Sequence, residues 1–99
     1  MSYAYAATMH THLGRRNEFI ALLIADQSAL ARLGCLSYLV GTNDSTPDVV
    51  YINEVWVSAA AHDESLKLES VRAVIQDARP LLTGEMTGSG FEVVGGLGA

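Results

Sequence analysis

The run VVYINEVWV, residues 49–57, constrains this chain more than any other stretch. It is rich in β-branched and aromatic residues, which suit a pleated, half-buried surface. Strand alternation puts Val50, Ile52, Glu54 and Trp56 on one face and Tyr51, Asn53, Val55 and Val57 on the other. The first set holds two plain core residues, the chain's only tryptophan and a carboxylate, and it is expected to look at helices. A carboxylate on such a face must be paired, hydrogen-bonded or protonated, because desolvating a bare charge is costly. It can accept backbone N–H groups, cap a neighbouring helix, or serve a pocket.

The other elements follow from periodicity and punctuation. SYAYAATMHTH (2–12) reads as a strand, with Tyr3, Tyr5, Ala7 and Met9 on one face and Ala4, Ala6, Thr8 and His10 on the other. Leu13 and Gly14 make a turn. Residues 15–33 read as one helix with Phe19, Leu22, Leu23, Leu30 and Leu33 on a stripe, while Arg15, Arg16, Glu18 and Arg32 look outward. Gly34 suits the left-handed position just past its end. CLSYLVGT (35–42) is a second strand, and the turn-dense NDSTPD (43–48) pairs it with 49–57 as a hairpin. Ser58 can cap a helix of about 59–67, and Ser70 can cap the next. In that helix Val71, Val74, Ile75, Ala78, Leu81 and Leu82 recur at three and four residues, and Pro80 falls in its last turn. Residues 83–90 read as a Gly-, Ser- and Thr-rich loop, FEVV (91–94) as a fourth strand, and GGLGA as a flexible end.

The order β-α-β-β-α-α-β is the split βαβ arrangement of a ferredoxin-like α+β sandwich, with helices on one face of an antiparallel sheet. The expectation is one domain over residues 1–99. Such a sandwich leaves the other sheet face bare. With 49% hydrophobic and only 17% charged residues, the chain carries more apolar surface than a small sandwich hides, which points to a homodimer packed sheet to sheet. The net charge of −5, with no basic run, excludes reliance on nucleic-acid phosphates. No signal-peptide pattern and no apolar run long enough to span a membrane is present. A single cysteine, Cys35, cannot close an internal disulfide, and the expected location is the reducing cytoplasm.

His62 follows six residues after Trp56, in the first turns of a new helix, so its imidazole can approach the mouth of a cavity between sheet and helix. Leu66, four residues on, shares its helix face. An imidazole ordinarily titrates near pH ~6.5, which makes it a natural proton acceptor at neutral pH. The plainer alternatives are a surface histidine and a packing tryptophan. His10 and His12 point the same way and could share a metal, but no further ligand lies near them in sequence, and a solvated strand end is the expectation. Cys35 reads as a small buried hydrophobe. The glycines GSG (88–90) and GGLG (95–98) are not followed by a helix, so no dinucleotide fingerprint exists. No metal, haem or flavin is expected.

GCLSY (34–38), HLGRRNEFIALL (12–23) and YINEVWVSAAAHDESLKLESVRAVIQDARPLL (51–82) together resemble the antibiotic biosynthesis monooxygenases, of the small type called quinol monooxygenases. The Glu-x-Trp-x-Ser…His block and the Gly-Cys after the first helix carry the likeness, which covers nearly the whole chain. The resemblance implies a homodimer whose two sheets form an α/β-barrel, and one pocket per subunit. It implies cofactor-free oxidation of phenols, quinols or anthrones by O2. Other members degrade haem with a first-strand asparagine, which residues 2–12 lack. On this basis His62 is the candidate proton acceptor and Trp56 the candidate pocket wall. Tyr5, Glu54, Leu66 and Ile75 are the candidate substrate-binding residues. Rival readings are an isomerase or lyase in the same pocket, and a non-catalytic dimeric module that binds a small ligand.

Overall fold

The computed structural model describes residues 2–99. Its elements are β1 (Tyr3–Thr11), α1 (Arg16–Ile24), α2 (Ser28–Leu33), β2 (Cys35–Thr42), β3 (Val49–Trp56), α3 (Ala59–Ser65), α4 (Glu69–Ala78), a 3-10 turn (Arg79–Leu81) and β4 (Leu82–Glu92). The sheet is antiparallel throughout, in the order β2-β3-β1-β4, which is the ferredoxin-like topology. The β2–β3 hairpin is closed by Asn43, whose Oδ1 accepts from the Ser45 N–H at 3.0 Å and from the Ser45 hydroxyl at 2.8 Å. The alternation of β3 holds: Val50, Ile52 and Trp56 are buried, and Asn53 is exposed.

The core lies between that face and the helices. Phe19 of α1, Val50 and Ile52 of β3, Ala78 of α4 and Leu81 form its centre, with Ala7, Met9, Tyr38 and Val40 of the sheet packed against it. Ser58 caps α3 as expected, its Oγ accepting the Ala61 N–H at 3.1 Å. No described helix is long and apolar enough to cross a membrane.

Three expectations are corrected. The single helix over 15–33 is two helices, α1 and α2, broken at residues 25–27. Asp26 explains the break: its carboxylate accepts the Ser28 N–H at 2.9 Å, a local bond that competes with continued helix, and that bond holds its carboxyl below the ordinary range. Ser70 is not a cap, because it already lies inside α4, which starts at Glu69 after an extended Leu68; Leu66 and Lys67 form the turn between α3 and that residue.

The third correction concerns residues 83–90, which are strand rather than loop: β4 pairs with β1 from Tyr3↔Glu92 to Met9↔Met86. Main-chain ladders need no side chains, and here the glycines serve the pairing. A Cβ at Gly88 would collide with the Tyr5 ring, and one at Gly90 with the Tyr3 ring, so both rings lie across bare backbone.

Gly34 ends α2 at φ 109°, and a Cβ there would also strike the Val57 side chain. Gly34→Ala should therefore cost about 1–3 kcal/mol through overpacking and backbone strain. Gly41→Ala, in β2 with open space around it, should be neutral or slightly stabilising. Thermal unfolding of the two variants beside the parent checks the contrast.

Candidate functional site

Strand register assembles the site. Tyr38 of β2 and Tyr5 of β1 both stand opposite Glu54 of β3. Cys35 and Tyr3 both stand opposite Trp56. Two rows, Tyr38–Glu54–Tyr5 and Cys35–Trp56–Tyr3, thus cross the helix-facing side of the sheet. A bulge between Cys35 and Ser37 sets this arrangement, since one extra residue in β2 brings Tyr38 onto the face that Cys35 already occupies.

The carboxylate question has a specific answer. Glu54 is half-buried, and its Oε1 accepts the indole N–H of Trp56 at 2.9 Å. Neither a backbone N–H nor a helix end takes that role. Trp56 is fully buried, so the bond is fixed by packing. Oε2 makes no hydrogen bond within the described residues and is not sealed from solvent.

α3 lays His62 onto this end of the sheet. Its ring stacks on Tyr5 at 4.7 Å, tilts against Tyr3 at 5.6 Å and meets Trp56 edge-on at 5.8 Å. The residue is only 8% exposed, so it sits inside the packing rather than at an open mouth. Its Nδ1 is buried without a hydrogen-bond partner; the Asp63 carboxylate stands 3.5 Å away, on the exposed side of the helix. The hydroxyl of Ser65 donates to the His62 carbonyl at 2.6 Å and steadies the turn that carries the imidazole.

The structure therefore brings His62, Trp56, Tyr5 and Glu54 together. It does not gather the remaining two expected residues: in the single chain Leu66 is 50% and Ile75 42% exposed. The rings of Trp56 and His62 pack against one another, with centroids 5.8 Å apart. Two shallow concavities lie elsewhere. One of about 220 Å³ runs between α2 and β2 and reaches Tyr38 and Cys35. The other, about 280 Å³, lies at the far end of the sheet by Leu13, Arg16 and Pro47. His10 pairs with Glu85 at 2.8 Å, His12 is exposed, and no group of three or more potential metal ligands forms among the described residues.

Tyr3 and Tyr38 were absent from the expected set. Tyr3 carried a signal, its shared strand face with Tyr5, whereas Tyr38 depends on the bulge. Burial, with the nearby Glu54 and Cys35 adding to it, pushes the Tyr38 hydroxyl up to about 12. Burial likewise raises the Cys35 thiol, which the Ser37 carbonyl accepts from at 3.3 Å.

This sequence matches the antibiotic biosynthesis monooxygenase family over residues 2–77, and the chain belongs to that family. Among solved structures it is similar to a Chloroflexus aurantiacus protein provisionally named for the same family. The two are 34% identical, covering 99% of this chain and 100% of that one, with a TM-score of 0.80. It shares its fold with a variant of SnoaB, a cofactor-independent oxygenase from Streptomyces nogalater, at 16% identity, 99% and 98% coverage and a TM-score of 0.80. A Deinococcus radiodurans structure, also provisionally named for the family, aligns at 24% identity, 100% and 98% coverage and a TM-score of 0.81. No curated protein matches the sequence.

Tyr38 yields a prediction at high pH. A free tyrosine ionises near pH ~10, so the unfolded chain loses this proton before the folded one. The raised value contributes stability that is complete below pH ~10 and is lost as pH rises towards about 12. Tyr38→Phe should therefore gain stability relative to the parent across that window, measured by denaturant unfolding at stepped pH.

Proposed function

We propose that this protein oxidises a small, electron-rich aromatic (a quinol, phenol or anthrone) with O2 and no cofactor, at the end of the sheet bounded by Trp56, His62, Tyr5 and Glu54. One observation supports this most: the His62 imidazole is packed among three aromatic rings, and its buried Nδ1 makes no hydrogen bond, the Asp63 carboxylate standing 3.5 Å away. A buried polar atom left so costs roughly 1–3 kcal/mol, and such costs concentrate where a group is kept for reaction. Family membership agrees with a monooxygenase-type activity. SnoaB, which shares the fold, is a cofactor-independent oxygenase.

The chemistry asks little of the protein. An ionised phenol or enol can pass an electron to O2 unaided. For an anthrone, a CH2 becomes C=O as O2 supplies one oxygen to the product and one to water, so no external reductant is needed. His62 accepts the proton that leaves the substrate oxygen or carbon. Trp56 and Tyr5 supply flat apolar surface, and Glu54 Oε2 anchors a hydroxyl. The rings exclude water from the intermediate. Because the rings are packed in the single chain, binding requires Tyr5 and His62 to part.

The working unit is a homodimer joined through the bare sheet face. A monomer of 10.6 kDa ordinarily exposes roughly 5,500 Å², whereas this chain exposes 6354 Å². The excess is close to the roughly 800 Å² that each partner contributes to a standard interface. Leu39 and Phe91, 63% and 57% exposed, lie on that face in register with Asn53 and Ala4.

Oxygen uptake by metal-stripped protein with quinols and anthrones is the direct test. His62→Phe keeps a ring in the packing and removes both nitrogens. It should lower the rate by about 10²–10⁴-fold while sedimentation still shows a dimer. Full activity in dimeric His62→Phe at every pH would remove the histidine from the chemistry. Turnover that persists without O2 would favour an isomerase.

A further inference from the structure

The same end of the sheet carries a charge asymmetry. Its carboxylates are Asp63, beside His62 on the exposed side of α3, and Glu54 on the sheet, whose Oε1 is committed to the Trp56 indole N–H while Oε2 faces accessible space. No cation balances Glu54. The ion pairs among the described residues are His10–Glu85, Arg15–Glu18, His62–Asp63 and Lys67–Glu64. Arg15, Arg32, Lys67, Arg72 and Arg79 are exposed, and Arg16 lines the concavity at the opposite end of the sheet.

Tyr38 completes the asymmetry. It stands opposite Glu54 in the register and also lines the concavity between α2 and β2, so it joins that opening to the carboxylate. Its hydroxyl makes no bond within the described residues. The Glu54 charge reaches it, adding to the burial that keeps the hydroxyl protonated far above neutral pH.

We infer that Glu54 selects substrate by charge, with Tyr38 a neutral hydrogen-bond donor beside it, admitting neutral hydroxyl-bearing aromatics and rejecting those that carry a carboxylate, sulfate or phosphate. Glu54 Oε2 accepts a hydrogen bond from the substrate hydroxyl, and the neutral Tyr38 hydroxyl donates to a substrate oxygen. An anionic substituent meets an uncompensated carboxylate in a half-buried setting, where like charges repel more strongly than in water. Acidic aromatics are otherwise recognised by Arg or Lys, and none is placed here. This inference rests on the aromatic binding at the site proposed above.

Anaerobic calorimetric titration at pH 8 tests it with two probes. Hydroquinone is the neutral probe, and gentisate is the same ring bearing one carboxylate. The parent should bind hydroquinone at least about tenfold more tightly than gentisate. Glu54→Gln keeps an oxygen for the indole N–H and removes the charge, so it should shrink the ratio to within about threefold. Tyr38→Phe should weaken hydroquinone binding and leave the ratio unchanged. Equal binding of the two probes, an unchanged ratio in Glu54→Gln, or binding of neither would overturn the inference. The two proposals fail separately. Selective binding with no oxygen uptake in air would leave charge selection standing and remove the oxidation. Equal oxygen uptake with both probes would do the reverse.

Discussion

The hydrogen bond from the Trp56 indole to Glu54 organises one end of this molecule. A carboxylate on the helix-facing side of a sheet is tolerated only if something satisfies it. Here the donor is a side chain two residues away on the same strand, itself fully buried. That fixes the indole plane, and the indole in turn meets the His62 ring in a T-shaped contact. Tyr5 and Tyr38 flank Glu54 because they are its register partners on the neighbouring strands. A structural bond thus leaves one carboxylate oxygen free in aromatic surroundings, which is the arrangement a site for a small aromatic needs.

The two ends of the sheet differ in kind. At one, Phe19, Val50, Ile52, Ala78 and Leu81 make an apolar core. At the other, a histidine, a carboxylate and three aromatic rings share the same helix-facing side. Stability is concentrated in the first, so the second can hold groups chosen for chemistry. β4 helps by carrying glycines beneath Tyr3 and Tyr5, which lets both rings lie flat across the edge of the sheet.

Local rules explain what the sequence made legible. Alternation along β3 placed Glu54 and Trp56 together, and cap chemistry located Ser58 and Gly34. The features it hid depend on partners distant in sequence or on small competitions. The helix break at residues 25–27 turns on one Asp26 hydrogen bond inside an otherwise helical pattern. β4 looked like a loop because its composition is that of a loop; what makes it a strand is the open edge of β1. Tyr38 joins the site only through a bulge, which simple alternation does not foresee. His62 was visible as a titratable group beside Trp56, but its burial under three rings follows from how α3 packs.

The central claim is that the Trp56–Glu54–His62 end of the sheet, not another surface, receives the aromatic. Since Trp56 is the only tryptophan, its indole N–H gives a single resonance in a ¹⁵N-correlated spectrum. Anaerobic titration with hydroquinone should shift that resonance saturably, together with the ring protons of His62. The account is contradicted if both stay still at saturating ligand, or if shifts appear instead around Leu13, Arg16 and Asp48.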